Sequence, residues 1–288
     1  MHHILLYVIL FVLVIGHTED LAAVTREPVR IHVSIPPQKF LVERIGGNKV
    51  DVTVLLKQGM SPETYEPTPK QMVKLNASSL YFRIGVPFED LWIDQIAALN
   101  PELRIIPCCA SLVLKDHKKH RDIMDKFIYD THLWTSPRNA GIIGGIIKET
   151  LVNYDTANAG YYEENYKQLL EDLKDADSII RKNLEGIRHK ILIVSHPSWS
   201  HFADAYGLQQ IPIERHGSEL RARELARLVK LVNEYQIKTI YVQPQYITTA
   251  AKALAHETGA RIIEIDPLAE DFINNLVKVS LLIREGNS

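Results

Sequence analysis

Two residues directly after apolar runs are placed where a ligand could bind. His196 follows the run at residues 190–195, and Asp266 follows the run at residues 261–265. Both runs are rich in β-branched residues, which is typical of strands. In open α/β folds ligands bind outside the carboxyl ends of parallel strands, so an imidazole and a carboxylate at these positions would face a crevice.

The first half of the chain offers two further candidates in stiff loops. Glu63 lies in a proline-rich loop, and His132 lies in the segment D-T-H-L-W-T-S-P. Imidazole and carboxylate groups together suit a divalent transition metal. If the two halves of the chain meet, these residues would converge with His196 and Asp266 on one ion.

Each candidate also has a simpler interpretation. A histidine or glutamate in a loop is usually solvated, and Asp266 could be the N-cap of the following helix. Asp130 could orient His132 by accepting its hydrogen bond, or it could be exposed. His201 follows soon after His196 in a helical pattern, where a packed or solvated side chain is more usual than a ligand.

Other residues with reactive side chains show weaker patterns. Cys108 and Cys109 are adjacent, which is unfavourable for a disulfide, so we expect two small apolar residues after a strand. His117 and His120 are flanked by basic residues, and a solvated charged loop is expected there rather than a metal site.

Composition and missing motifs argue against several classes of protein. The formal net charge is -2, whereas a nucleic-acid-binding protein usually carries a basic stripe, so no nucleic-acid partner is expected. The sequence contains no phosphate-binding G-x-x-x-x-G-K-[ST] loop, no G-x-G-x-x-G after a strand and no G-x-S-x-G elbow. Nothing in the sequence supports nucleotide binding or serine-type hydrolysis.

Short β-branched runs alternate with helical patterns along the chain, which predicts parallel sheets covered by helices. The expected strands are at residues 29–35, 51–56, 79–84, 104–106, 190–194, 210–214, 239–242 and 261–265. The expected helices are at residues 38–45, 68–75, 88–98, 137–152, 201–206, 223–235, 248–258 and 271–284. Four strands in each half predict an α/β fold of two domains, each a four-stranded parallel sheet flanked by helices.

One long rigid helix should join the two domains. Between about residues 156 and 184 the apolar positions recur at three and four residues, and no proline interrupts them. The sequence therefore predicts an N-terminal domain at 26–155, a linking helix at 156–186 and a C-terminal domain at 187–288.

The N-terminus indicates export. Residues 4–15 form an unbroken apolar run that is shorter than the roughly 20 residues of a membrane span. Such a run followed by small residues is typical of a secretory signal, although the preceding residues lack Lys and Arg. We interpret residues 1–25 as a signal peptide and expect a periplasmic monomer.

The chain resembles the metal-binding solute-binding proteins of ABC transporters, the zinc and manganese uptake family. The matching motifs are Y-E-P-T-P at 65–69, Y-F-R-I-G-V-P-F-E at 81–89, D-x-H-x-W-x-S-P at 130–137, H-P-S-W-S-H-F-A-D-A-Y-G at 196–207 and I-D-P-L at 265–268. The resemblance implies two α/β domains joined by one long helix, with a metal ion buried between them and a membrane permease as partner. It places His132, His196 and Asp266 at three of the family's ligand positions.

The fourth ligand position departs from the family pattern. The family has a histidine directly after the proline of the P-H-x-Y-E-P-T-P loop, and this chain has Glu63 there. Two carboxylates with two imidazoles resemble the manganese-type set, while the sequence around His196 resembles the zinc type. The resemblance implies a non-enzymatic receptor for zinc, with manganese or iron as the alternative ion. An adhesin of the same family and a zinc-dependent hydrolase are the remaining alternatives.

Overall fold

The computed structural model describes residues 27–110, 112, 130–215, 218–219, 221–246 and 248–287. Its first sheet is parallel, with the strand order β2-β1-β3-β4. The strands are β1 (Val29–Val33), β2 (Val50–Val54), β3 (Leu80–Arg83) and β4 (Arg104–Pro107). The inner strands carry buried apolar residues on both faces, as expected for a sheet with helices on each side.

The helices of the first half share one type of start. Each has a proline in its first turn, where the missing N–H costs no hydrogen bond. These helices are α1 (Pro36–Gly46), α2 (Pro69–Asn76), α3 (Pro87–Leu99) and α4 (Pro137–Tyr154). Thr68 also caps α2, because its hydroxyl accepts from the Gln71 N–H at 3.4 Å.

The second half repeats this arrangement. Its main sheet is parallel with the order β10-β9-β5-β6. The strands are β5 (Ile191–Val194), β6 (Gln209–Pro212), β9 (Thr239–Val242) and β10 (Arg261–Glu264). The helices are α6 (Ser200–Tyr206), α7 (Ala222–Glu234), α8 (Thr249–Thr258) and α9 (Phe272–Gly286).

The predicted strand at 210–214 is wrong at its end. Pro212 is the last residue of β6, and Ile213 breaks the strand. Glu214 then starts a short antiparallel pair of β7 (Glu214–Arg215) with β8 (Ser218–Glu219). Pro212 is tolerated because β6 is an edge strand, and the Ile213 N–H still donates to the Val194 carbonyl at 2.8 Å.

A single long helix, α5 (Ala159–Leu184), joins the halves. It packs against α1 and α4 of the first half and against α9 of the second. Its buried stripe includes Tyr162, Leu169, Leu173 and Ile180. One hydrophobic cluster therefore runs from the first sheet through α5 into the second half. The predicted fold class is confirmed, and the rigidity of this connection stays a prediction.

Several predictions concern other parts of the chain. The signal peptide at 1–25, His117 and His120 lie outside the described residues. None of the helices in the described ranges is long and apolar enough to cross a membrane. Cys108 and Cys109 are buried free thiols after β4, and burial raises both pKa values, so the prediction of small apolar residues is confirmed.

Candidate metal centre

Glu63 and His196 meet across the two halves of the chain. His196 lies just beyond β5, and Glu63 lies in the loop between β2 and α2. The distance from Glu63 Oε1 to His196 Nε2 is 3.1 Å. The hydrogen bond from His196 lowers the pKa of Glu63, while burial raises it. The carboxylate and the imidazole thus form an ion-paired contact at the domain boundary.

The loop that carries Glu63 is fixed to the first sheet. The Tyr65 hydroxyl donates to the Leu55 carbonyl at 2.8 Å, and the Tyr65 ring packs on Phe88 with centroids 4.8 Å apart. The Phe88 N–H in turn donates to the Pro62 carbonyl at 3.3 Å. These contacts hold the residues on both sides of Glu63.

The other ring nitrogen of His196 donates to a second carboxylate. His196 Nδ1 is hydrogen-bonded to Glu214 Oε1, and both side chains are almost fully buried. Burial lowers the pKa of His196, but the bonds to Glu214 and Glu63 outweigh it and raise the pKa to about 9. In this arrangement Glu214 fixes the ring so that Nε2 faces Glu63.

His132 is oriented in the same manner. Its Nδ1 lies 2.6 Å from Asp130 Oδ1, and its backbone N–H donates to the same oxygen at 2.9 Å. Burial raises the pKa of Asp130, but the charge and hydrogen bond of His132 bring it below its usual range. Of the two interpretations of Asp130, the orienting acceptor is confirmed. The His132 ring centroid lies 5.6 Å from that of His196.

Asp266 has different neighbours. Its Oδ1 accepts from the Leu268 N–H at 2.9 Å and from Gln245 Nε2 at 3.3 Å. It lines a cleft with Gln58 and Gly59 of the first half. Helix α9 is preceded by Asp271 as its N-cap, so the interpretation of Asp266 as that cap is wrong.

The four predicted ligands are therefore only partly assembled. Glu63 and His196 are in contact, and His132 is adjacent, whereas Asp266 is bonded to Leu268 and Gln245 instead. Across the described ranges, no group of three or more His, Cys, Asp or Glu side chains is arranged to hold a metal ion. A four-ligand shell requires local rearrangement of these side chains.

Comparison with known protein families shows to which family this chain belongs. The sequence model of one protein family matches residues 31–280 of this chain, and that family is described as zinc-uptake complex component A, periplasmic. The chain belongs to this family. The resemblance to metal-binding solute-binding proteins is thereby confirmed.

Individual relatives match over nearly their whole length. A putative metal-binding protein of Chlamydia trachomatis serovar D is 29% identical over 278 residues, covering 96% of this chain and 97% of that protein. The high-affinity zinc uptake system protein ZnuA of Bacillus subtilis is 26% identical, covering 88% of this chain and 83% of that protein. A crystal structure of ZnuA superposes with a TM-score of 0.84 at 34% identity, covering 91% of this chain and all of that one.

Sequence reasoning missed two residues that surround His196. Glu214 lies just past β6, at the same sheet edge as His196, so the strand-end rule could have identified it. Tyr246 stacks on His196 with ring centroids 4.2 Å apart, and no pattern in the sequence indicates this. His201 is half-buried in α6, where its Nε2 donates to the Asp130 carbonyl at 2.9 Å.

Proposed function

We propose that this protein captures a divalent transition metal, zinc in the first instance, between its two domains and delivers it to an ABC permease. Glu63, His132, His196 and Asp266 are the proposed ligands. The observation that carries the proposal is the contact of Glu63 Oε1 with His196 Nε2 across the domains, beside the His132 ring. The family description and the family's periplasmic location support the same conclusion.

The hydrogen bonds of the two imidazoles suit metal binding. Both Nδ1 atoms are engaged by carboxylates, Asp130 for His132 and Glu214 for His196. A histidine whose Nδ1–H is donated to a carboxylate presents the lone pair of Nε2 to a metal. The ion would replace the proton that His196 shares with Glu63, since both interact with the same nitrogen.

Two arguments favour zinc, the chemistry of the proposed ligands and the description of related proteins. Zinc binds imidazole and carboxylate groups readily, and sites of this type favour it over manganese in raw affinity. The family description and the Bacillus subtilis relative both name zinc uptake.

Manganese is the second candidate because of Glu63. Two carboxylates make the donor set harder than three imidazoles with one carboxylate, and harder donors suit manganese better. Manganese is retained as a candidate because the Glu63 carboxylate contacts the proposed ligand His196.

Capture should bind the two domains together. A ligand that binds only the folded state stabilises it by RT ln(1 + [L]/Kd), so a tightly held ion should strongly raise the unfolding temperature. Delivery to the permease would then require a motion that loosens the ligands of one domain.

Competitive titration of the metal-free protein tests the proposal. Protein purified without added metal is analysed for elements, stripped with a chelator, and titrated with zinc, manganese and iron against a chromophoric chelator. We expect one zinc per chain, bound more tightly than manganese. Loss of zinc binding in His132→Ala and His196→Ala, with His256→Ala on α8 unaffected, would assign the site. An empty protein that binds none of the three ions refutes the proposal.

A further inference from the structure

The segment that carries His132 is bonded to the second domain. Asp130, whose Oδ1 orients His132, uses its Oδ2 to accept from Ser200, through the backbone N–H at 3.2 Å and through the hydroxyl. The backbone carbonyl of Asp130 accepts from His201 Nε2 at 2.9 Å. Ser200 and His201 are the first residues of α6, in the second half of the chain.

A separate contact anchors the same segment a few residues later. Trp134 Nε1 donates to the Pro267 carbonyl at 2.7 Å, and the Trp134 side chain is fully buried. Pro267 directly follows Asp266. The segment around His132 is thus held by α6 on one side and by the loop of Asp266 on the other.

The loop of Glu63 differs in its anchoring. Its neighbours Pro62 and Tyr65 are bonded to Phe88 and Leu55, all of the first half. Ser61 contacts the second half through the hydroxyl of Tyr246. Glu63 is therefore carried mainly by the first sheet, although its carboxylate reaches His196.

We infer that Ser200 and His201 are positioning residues that hold His132 in place through Asp130 from the opposite domain. This inference rests on the proposed function of His132 as a ligand. The bonds that carry the inference are those of Ser200 and His201 to Asp130.

This positioning role determines which proposed ligands would move together when the two domains separate. His132 comes before the linking helix in sequence, but the hydrogen bonds of Asp130 and Trp134 couple its segment to the same domain as His196 and Asp266. The four ligands then divide three to one. Separation of the domains would withdraw Glu63 and leave the other three together, so Glu63 would be the first ligand lost on release.

The first test uses metal-free protein and nuclear magnetic resonance of the histidine side chains. Ser200→Ala should shift the ring nitrogen resonances of His132, because Asp130 loses the hydroxyl donor that fixes its carboxylate. Ser200→Thr, which keeps a hydroxyl, should restore them, and Ser178→Ala on the exposed face of α5 should leave them unchanged. Unchanged His132 resonances in Ser200→Ala would overturn the inference whether or not the protein binds metal.

The second test is a double-mutant cycle in zinc affinity. Loss of groups that orient a ligand typically weakens metal binding by roughly 10–100-fold, and Ser200→Ala should give about tenfold at most, since Asp130 itself remains. In an Asp130→Ala background, Ser200→Ala should have no further effect, because the carboxylate that the Ser200 hydroxyl bonds is gone. Equal effects of Ser200→Ala in both backgrounds would show that Ser200 acts on stability alone and would overturn its positioning role.

The two tests separate the inference from the proposed function. Wild-type protein that binds no metal refutes the function, while the resonances of His132 still decide the positioning role. Wild-type protein that binds zinc, together with Ser200→Ala protein of equal affinity, sustains the function and overturns the inference.

Discussion

Tyr246 stacks face to face on His196, with ring centroids 4.2 Å apart and planes within 6° of parallel. The Tyr246 hydroxyl is hydrogen-bonded to the hydroxyl of Ser61, in the loop of Glu63. Tyr246 therefore fixes the plane of one proposed ligand and contacts the loop that carries another. Its role would be to keep the imidazole in place when the metal replaces the bond to Glu63.

Removing the Tyr246 ring should weaken metal binding. Stacked aromatic pairs contribute about 0.5–1.5 kcal/mol, so Tyr246→Ala should lower zinc affinity roughly twofold to tenfold. Tyr246→Phe keeps the ring and should retain most of the affinity, which competitive titration would measure. Tyr235→Ala is the matched control, because Tyr235 packs on His189 away from the site. Equal affinities of the Ala variant and wild type would contradict the role of the stack.

Metal binding should release a proton from His196. With its pKa raised to about 9, the metal-free imidazole is protonated near neutral pH, and the ion must displace that proton from Nε2. As pH falls below this value, the apparent affinity should drop about tenfold per unit from this group. Calorimetry near neutral pH in buffers of different ionisation enthalpy should detect about one released proton.

Substitution of Glu214 tests whether His196 is the source of the released proton. Glu214→Gln removes a charge that raises the pKa of His196, so fewer protons should be released on zinc binding. Glu234→Gln, at the exposed end of α7, should release as many as wild type. An unchanged proton count in Glu214→Gln would exclude His196 as the source.

Most of the fold could be predicted because local signals agree with it. The β-branched runs predict every strand of the two parallel sheets, and prolines at the helix starts explain why the helical patterns begin where they do. The short β7–β8 pair was missed, because two-residue strands leave no periodicity to detect.

The site could be predicted less completely. The strand-end rule places His196 correctly at the domain boundary, and the segment of His132 contains its own orienting acceptor, Asp130. The other residues around the proposed ligands are brought there by contacts between loops that are distant in sequence. The stack of Tyr246 on His196 is such a contact, and neither residue type nor spacing indicates it.

Glu63 should control which ion is preferred. Glu63→His gives three imidazoles and one carboxylate, a softer donor set that should raise the preference for zinc over manganese. Glu63→Ala should weaken both ions, because the first sheet would then supply no ligand. Parallel titrations with the two metals measure the ratio. Glu66→His, at an exposed position of the same loop, is the control, and an equal change in ratio there would contradict the assignment.

Substitution of Glu89 should lower the free energy of unfolding rather than the affinity for metal. This buried carboxylate accepts from the backbone N–H groups of Ile84 at 2.8 Å and Gly85 at 2.7 Å, and from the Ser34 hydroxyl. Glu89→Ala would leave these donors unpaired, at roughly 1–3 kcal/mol each for buried groups, so a loss of at least about 3 kcal/mol is expected. Urea denaturation of chelator-treated protein measures it.

The neighbouring Asp90 is the control for Glu89. Its side chain is 75% exposed and pairs with Arg83, so Asp90→Ala should cost less than about 1 kcal/mol. Equal losses for the two variants would mean that the buried hydrogen bonds of Glu89 contribute nothing specific.

Asp266 can act as a ligand or as a structural acceptor for Leu268 and Gln245, and one substitution separates these roles. Asp266→Asn keeps an oxygen to accept from Leu268 and Gln245 but removes the charge that would bind a cation. The metal-free variant should therefore unfold within about 1 kcal/mol of wild type, since only a neutral acceptor replaces a charged one. Its zinc affinity should fall by at least about tenfold, because a carboxylate ligand is lost from the shell. Glu264→Gln, at the end of the same strand, should leave affinity unchanged. If Asp266→Asn alters stability but not zinc binding, Asp266 stabilises its loop and the ion is held by the other three residues.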